Sequence, residues 1–256
     1  KVSEGQNVFF EGANSIMLDP VNGVTPYTTS SRTLAAAAYT GGDLSVKHHD
    51  KTIGVAKAIV SRVGNGPFVS EFGGSRQEAY CGEDGGNAHK KHVESAMYDA
   101  QKLLGSYDPF EISIALRVIG NEYGATTKRP RRIGMLDLVM LKQNCMLNGV
   151  DELYINKFDC LADFSKTTLP GIPIVVAYQL DDHEIDYMPT SEADARRAQP
   201  IVEYLPKFNQ DISGIRDYDA LPAEAHGLAD VVEKYVGTKV CGVGVGPERD
   251  QFVLKQ

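Results

Sequence analysis

The sequence predicts an α/β fold with a largely parallel central sheet and flanking helices. Apolar β-prone runs alternate along the chain with stretches of helical spacing. Three unusual segments, Asn14, residues 156–159 and residues 244–247, fall at the ends of such runs. Open parallel sheets bind ligands outside the carboxyl ends of their strands. With 256 residues, 42 % hydrophobic and 23 % charged, the chain can bury a sizeable core and is read as a single domain over 1–256. The same figures place it outside the disordered, collagen-like and coiled-coil classes.

The elements follow in order. Residues 7–10 are β-prone and closed by Glu11-Gly12-Ala13-Asn14, predicting a strand and a turn. Residues 19–31 are rich in Pro, Gly, Thr and Ser and read as an irregular loop. Residues 33–39 are Ala-rich and predict a helix start with Ser31 as cap. Residues 52–63 are apolar and run into Gly64-Asn65-Gly66-Pro67, a strand and then a turn. An amphipathic helix is expected over 93–104, with Met97, Ala100, Leu103 and Leu104 on one side. Residues 110–119 form a β-branched run, and 132–147 carry apolar residues at helical spacing. Residues 152–155 and 172–179 read as strands, the second with Pro173 at its start. A helix over 221–236 is stopped by Gly237, and 239–245 form the last strand.

Lys plus Arg number 26 against 34 Asp plus Glu, a net charge of -8. That balance argues against a nucleic-acid partner, which requires a basic footprint. No apolar run approaches the ~18 residues of a membrane span, and the first residues show no signal-peptide core. The chain opens on Lys1 rather than Met, as a processed chain or a piece of a longer one does. Cys81, Cys145, Cys160 and Cys241 form no close pair, so they are expected to be reduced, buried and in an intracellular, cytoplasmic protein.

The densest chemical signal is Gly120-Asn121-Glu122-Tyr123-Gly124-Ala125-Thr126-Thr127-Lys128-Arg129-Pro130-Arg131-Arg132. Arg129 and Arg131 offer planar forks that match carboxylate or phosphate oxygens, and Thr126 and Thr127 add neutral donors. The segment reads as a clamp for a small dianion; the alternative is a basic surface loop. Asn156-Lys157-Phe158-Asp159 follows a strand. In that place the Asp carboxylate can accept from the two N–H donors on the guanine edge while the Lys stem lies along the base. The alternative is a turn with a solvated Lys. Gly242-Val243-Gly244-Val245-Gly246-Pro247 lets backbone approach a flat ligand, or is only a tight turn. The pairs His48-His49 and His89/His92 lack partners at zinc spacing and read as solvated loops. The chain has no G-x-x-x-x-G-K-[ST] phosphate loop.

Together these segments resemble the adenylosuccinate synthetase family. The matching words include Glu11-Gly12-Ala13-Asn14, Thr25-Pro26-Tyr27-Thr28-Thr29-Ser30-Ser31, Arg62-Val63-Gly64-Asn65-Gly66-Pro67-Phe68, the segment from Gly120 to Arg132, Asn156 to Asp159, and Gly246-Pro247-Glu248-Arg249-Asp250. The resemblance implies a P-loop-NTPase-like synthetase fold represented by its C-terminal larger part only, lacking its N-terminal phosphate-loop portion, with residues 76–117 as an insertion. It implies GTP-dependent ligation of L-aspartate to IMP through 6-phosphoryl-IMP, with Mg²⁺, in a cytoplasmic homodimer without nucleic-acid or membrane partners. It assigns aspartate binding to Ala125, Thr126, Thr127, Lys128, Arg129 and Arg131. GTP falls to Arg131, Lys157, Phe158, Asp159, Gly244, Val245 and Gly246, and IMP to Asn14, Leu18, Thr29, Val63, Gly64 and Arg129. Lys128 stands where the family usually has Gly, and Asn14 where it has Gln. The family's catalytic Asp and His are expected to lie ahead of Lys1, leaving no catalytic or metal residue here and this chain inactive alone. Alternatives are a viral-type relative that joins aspartate to a guanine nucleotide, or a non-catalytic GTP- or purine-binding module.

Overall fold

The computed structural model describes residues 4–82 and 85–255. Residues 7–10 are not a strand: no neighbouring strand reaches them among the described residues, and Phe9 is 78 % exposed. The loop that follows is organised by one buried carboxylate. Asp19 accepts from the N–H groups of Val21, Asn22 and Thr33 and from Arg32. Burial works against its ionised form, but these donors win and hold the carboxyl well below the usual range. The Ala-rich stretch yields only a short helix α1 (Ala37–Gly41), with no side-chain cap. Ser31 is not its cap.

The apolar run at 52–63 divides into β1 (Ile53–Lys57) and β2 (Val60–Arg62). Helices α2 (Gly74–Cys81), α3 (Gly85–Ala88), α4 (Lys91–Met97), α5 (Ala100–Leu104) and α6 (Pro109–Ile119) follow. The helix expected over 93–104 breaks at Tyr98–Asp99, where the Asp99 carboxylate caps α5 through Lys102 N. The β-branched run 110–119 is helix α6. Its start is set by Asp108, which caps Phe110 N, and by Pro109 in the first turn. Phe110, Ile112, Ile114, Ala115 and Leu116 are all buried, so α6 is covered on every side.

Residues 132–147 give β3 (Arg132–Gly134), β4 (Leu136–Asp137) and α7 (Leu138–Asn148), which Gly149 ends in left-handed backbone. Then come β5 (Glu152–Asn156), β6 (Ile172–Leu180), β7 (His183–Ile185), α8 (Glu192–Arg197), β8 (Gln199–Leu205), α9 (Ala223–Val236), β9 (Lys239–Gly244) and β10 (Phe252–Leu254).

The strands do not form one largely parallel sheet, and that expectation is corrected. One sheet has the order β1-β5-β9-β10, parallel across its first three strands and closed by antiparallel β10. A second pairs β2 with β3 antiparallel. In the third, β6 is parallel to β4 and antiparallel to β7 and β8. The short return from β6 into β7, and the path back through α8 to β8, allow antiparallel hairpin pairing without a crossover helix. A main core joins α5, α6, α9, β5 and β9 through Leu104, Ile112, Leu153, Val232 and Val243. A smaller one gathers Val139, Val175, Tyr178 and Ala195 under the third sheet. All four cysteines are free and buried, and burial pushes the Cys81 and Cys160 thiols up to about 12. No described helix is long and apolar enough to cross a membrane.

The end of α6 carries a buried charge. Arg117, fully buried, meets Glu94 of α4 with contacts of 2.5–3.1 Å, and also donates to Gln77 Oε1 and to the Arg131 carbonyl, each at 3.1 Å. Tyr123 donates its hydroxyl to the same Glu94 carboxylate at 2.5 Å. Glu94→Ala strands the guanidinium, and we expect a loss of about 3–5 kcal/mol in urea unfolding; an unchanged midpoint would contradict the network.

Asp137 caps α7 and accepts from Tyr178 Oη at 2.7 Å. Burial raises its carboxyl to about 6 against the donors around it. The folded state therefore binds this proton more readily than the unfolded chain does. Its contribution to stability should fall as pH rises from about 4 to about 6 and stay level above that. Asp137→Asn should remove that slope from the pH dependence of the urea midpoint.

Candidate functional site

Three strand ends meet at one edge of the first sheet. Lys57 at the end of β1 lies in register with Asn156 at the end of β5. Phe158 N donates to the Gly244 carbonyl at the end of β9, at 3.0 Å. A Cβ on Gly244 would come 2.6 Å from Asn156 Oδ1, so the loops can approach this closely only with glycine there. The expected base-reading segments, 156–159 and 244–246, are thus side by side. Lys157 takes left-handed backbone (φ 66°) and turns its ammonium to the Gly120 carbonyl at 2.6 Å. Phe158 is fully buried and anchors the loop, so it offers a ligand only backbone. Val245 is buried in the same way. Asp159 opens a 3-10 helix (Asp159–Lys166) and is partly exposed. Burial raises its carboxyl above the ordinary value, with Lys157 pulling it back.

The Gly120–Arg132 segment leaves α6 and returns as β3. Its two arms pair at Tyr123 and Pro130, and Gly124 N donates to the Arg129 carbonyl at 2.8 Å. The tip, Ala125, Thr126, Thr127 and Lys128, is exposed. Thr127 Oγ1 lies 2.5 Å from where a Cβ on residue 124 would sit, so a larger residue there would have to turn the Thr127 hydroxyl aside. Lys128 has φ 56°. That is the conformation glycine adopts without strain. Arg129 Nε donates to Asn87 Oδ1 at 2.9 Å, leaning the loop on α3. Arg131 Nη1 donates to Glu122 at 2.9 Å, and its buried Nε has no partner among the described residues. Arg132 takes no part in the clamp. It is 1 % exposed, paired with Glu71, and donates to the Gly64 and Gly66 carbonyls, which fixes the turn at 64–67.

The residues implied for IMP are only partly gathered. Thr29 N donates to the Leu18 carbonyl at 2.8 Å, and Gly64 (φ 72°) is held by Arg132 beside exposed Val63. Asn14 is exposed, with φ 67°, and no hydrogen bond among the described residues joins it to them.

Sequence reasoning missed Glu122 and the cluster of cations paired with it. Glu122 is 4 % exposed at its side chain and lies between Lys57 Nζ (2.8 and 2.9 Å) and Arg131, with Lys157 Nζ at 3.9 Å. Burial opposes its charge, yet Lys57, Ser61 and Arg131 hold its carboxyl below the ordinary value. Lys57 is one of two cations, with Arg62, in the apolar run 52–63. Among the described residues no group of three or more His, Cys, Asp or Glu side chains is placed to hold a metal ion.

Comparison with known proteins adds the following. The model of the family described as "Adenylosuccinate synthetase" matches residues 1–253. An adenylosuccinate synthetase 2 of Cupriavidus pinatubonensis is 41 % identical over 254 residues, covering 99 % of this chain and 53 % of that protein. The adenylosuccinate synthetase of Cutibacterium acnes is 36 % identical, covering 99 % of this chain and 50 % of its own length. A solved structure of fully ligated adenylosuccinate synthetase from Plasmodium falciparum superposes with a TM-score of 0.78 at 29 % identity, over 100 % of this chain and 51 % of that one. The chain therefore spans about half the length of the relatives it matches. Two expectations are corrected here. The expectation that the chain represents only the C-terminal larger part of the family is overturned by the match of the family model over residues 1–253. For the same reason the fold is not described as one lacking an N-terminal phosphate-loop portion.

Proposed function

The chain belongs to the adenylosuccinate synthetase family, and from that premise we propose that it serves the GTP-dependent ligation of L-aspartate to IMP. One observation carries the reading: the 156–159 loop, the 244–246 turn and the Arg131 end of the clamp loop converge at one sheet edge. This supports a base-reading half and a carboxylate-binding half next to each other.

In this reading Asp159 accepts from the guanine N–H donors, and Lys157, its ammonium tethered at Gly120, lays its methylene stem along the base. The Gly244–Gly246 backbone approaches the ring. Thr126, Thr127, Arg129 and Arg131 receive the two aspartate carboxylates, with Lys128 and Ala125 shaping the tip. Leu18, Thr29, Val63, Gly64 and Arg129 border the IMP side, and Asn14 reaches it only if its loop swings in. The chemistry needs this pairing. The 6-oxygen of IMP is a poor leaving group until a phosphoryl group from GTP converts it, and the aspartate amine then displaces phosphate. Mg²⁺ belongs to the family reading, but the described residues present no cluster that fits it, and no step is routed through it. The homodimer belongs to the same proposal.

Titration with GTP and ATP tests the base-reading half. The chain should prefer GTP, and Asp159→Asn should lower GTP affinity about tenfold or more, worth about 1.4 kcal/mol per tenfold, while the unfolding midpoint stays put. Because burial raises the Asp159 carboxyl, GTP affinity should also fall as pH drops through that raised range. Equal affinity for GTP and ATP in the unmutated chain would sink the assignment. Adenylosuccinate formation from IMP, L-aspartate and GTP, followed by chromatography, tests the reaction itself.

A further inference from the structure

Glu122 has no place in the reading above, yet both halves of the site meet on it. Its cations come from three separate stretches: Lys57 from the end of β1, Arg131 from the arm entering β3, and Lys157 from the loop after β5. The carboxylate is buried at 4 % exposure, whereas Lys57, Arg131 and Lys157 keep 34 %, 28 % and 29 % of their side-chain surface. The charge is therefore fixed inside and the cations reach inward to it. Lys57 has a second anchor in Ser61 Oγ at 2.9 Å, and Lys157 has one in the Gly120 carbonyl. Among the described residues Arg131 makes one side-chain bond, from Nη1 to Glu122; its Nε is buried without a partner, and the exposed part of its fork is what remains for a ligand.

We infer that Glu122 is a positioning residue that sets the Lys157 stem and the Arg131 fork together, and so couples base binding to carboxylate binding. This rests on the proposed ligase reading of the site. The physical argument is one of ordering. Lys and Arg side chains lose much rotamer freedom when held, and a ligand that finds them already held does not have to order them. Remove the negative charge, and Arg131 loses the bond that holds it while Lys157 keeps only the Gly120 carbonyl, with the two cations left to repel each other. Each ligand must then order and gather them itself. Lys57 offers the control. It pairs with the same carboxylate but belongs to neither loop, and without it Glu122 still has Arg131 and Lys157.

The test is calorimetric titration of the chain with GTP, and with L-aspartate in the presence of GTP. Glu122→Gln should raise both dissociation constants about tenfold, whereas Lys57→Met should change either by less than about threefold. If Lys57–Glu122 were merely a structural ion pair, breaking it from either side would weaken binding alike, and that result overturns the inference. So does Glu122→Gln binding both ligands as the unmutated chain does. If Glu122→Gln does not fold, Glu122→Asp, which keeps the charge but withdraws it by one methylene, should weaken both ligands in parallel; loss of one alone overturns the coupling. An unmutated chain that binds neither ligand overturns the site reading and this inference with it, whereas normal binding with insensitive variants overturns the inference alone.

Discussion

The buried charge of Arg117 is the constraint on which the site depends. Helix α6 is covered on all sides, so the guanidinium in its last turn has no route to water. A charge in that setting must be paired and fully hydrogen-bonded. The chain meets this by bringing Glu94 of α4, Gln77 of α2 and the Arg131 carbonyl to it. Those contacts fix three elements against α6. They also fix both ends of the clamp loop: Glu122 N donates to the Arg117 carbonyl and Tyr123 closes on Glu94 at the entering arm, and the Arg131 carbonyl accepts from Arg117 at the leaving one. The exposed tip at 125–128 is free to meet a ligand because its base is not free to move.

The second frame is the sheet. Parallel strands β1, β5 and β9 start and stop together, so whatever follows them emerges at one edge. Lys57, the Asn156 loop and the Gly244 turn are neighbours for that reason, although about 100 residues separate the first from the second. Glu122 joins this edge to the clamp loop. The fold thus holds two frames, one helical and one of strands, and a single carboxylate spans the seam between them. Each cation there has at least one bond to the body of the protein, and the outward parts of Arg131 and Asp159 remain available.

Much of this was legible in the sequence where local chemistry alone decides. Gly237 stops a helix in left-handed backbone, and the runs at 152–155 and 172–179 are strands. The words 156–159 and 124–131 stood out because anion and base recognition would need particular donors at short spacing; the chemistry proposed for them rests on that pattern and on their placement. Most of what failed depends on distant partners. Residues 7–10 have β propensity but no neighbouring strand among the described residues; the error at 110–119 was instead a local one, because Asp108-Pro109 marks a helix start ahead of a strand-like composition. Whether a sheet is parallel or mixed is set by how β6 meets β7 and β8, which no short pattern records. Glu122 looked like any charged residue in a polar loop, because its meaning lies in Lys57 and Lys157, each more than 30 residues away in sequence.

Arg131 and Arg132 show how sharply geometry separates identical chemistry. They are consecutive, and both have the fork that a carboxylate requires. At the mouth of β3, successive side chains point to opposite faces. Arg132 is turned into the protein, where Glu71 and two turn carbonyls consume its donors. Arg131 is turned toward the proposed ligand edge, keeps part of its side chain exposed, and gives one donor to Glu122. Composition can count four cations in this segment, but only the pleat decides which of them are spent on the fold. The left-handed turn at Lys128 reverses the chain just ahead of these two arginines, so the same turn that exposes the tip also fixes the phase of the alternation. A one-residue slip there would exchange the two arginines, placing the committed side chain outside and the free one in the core.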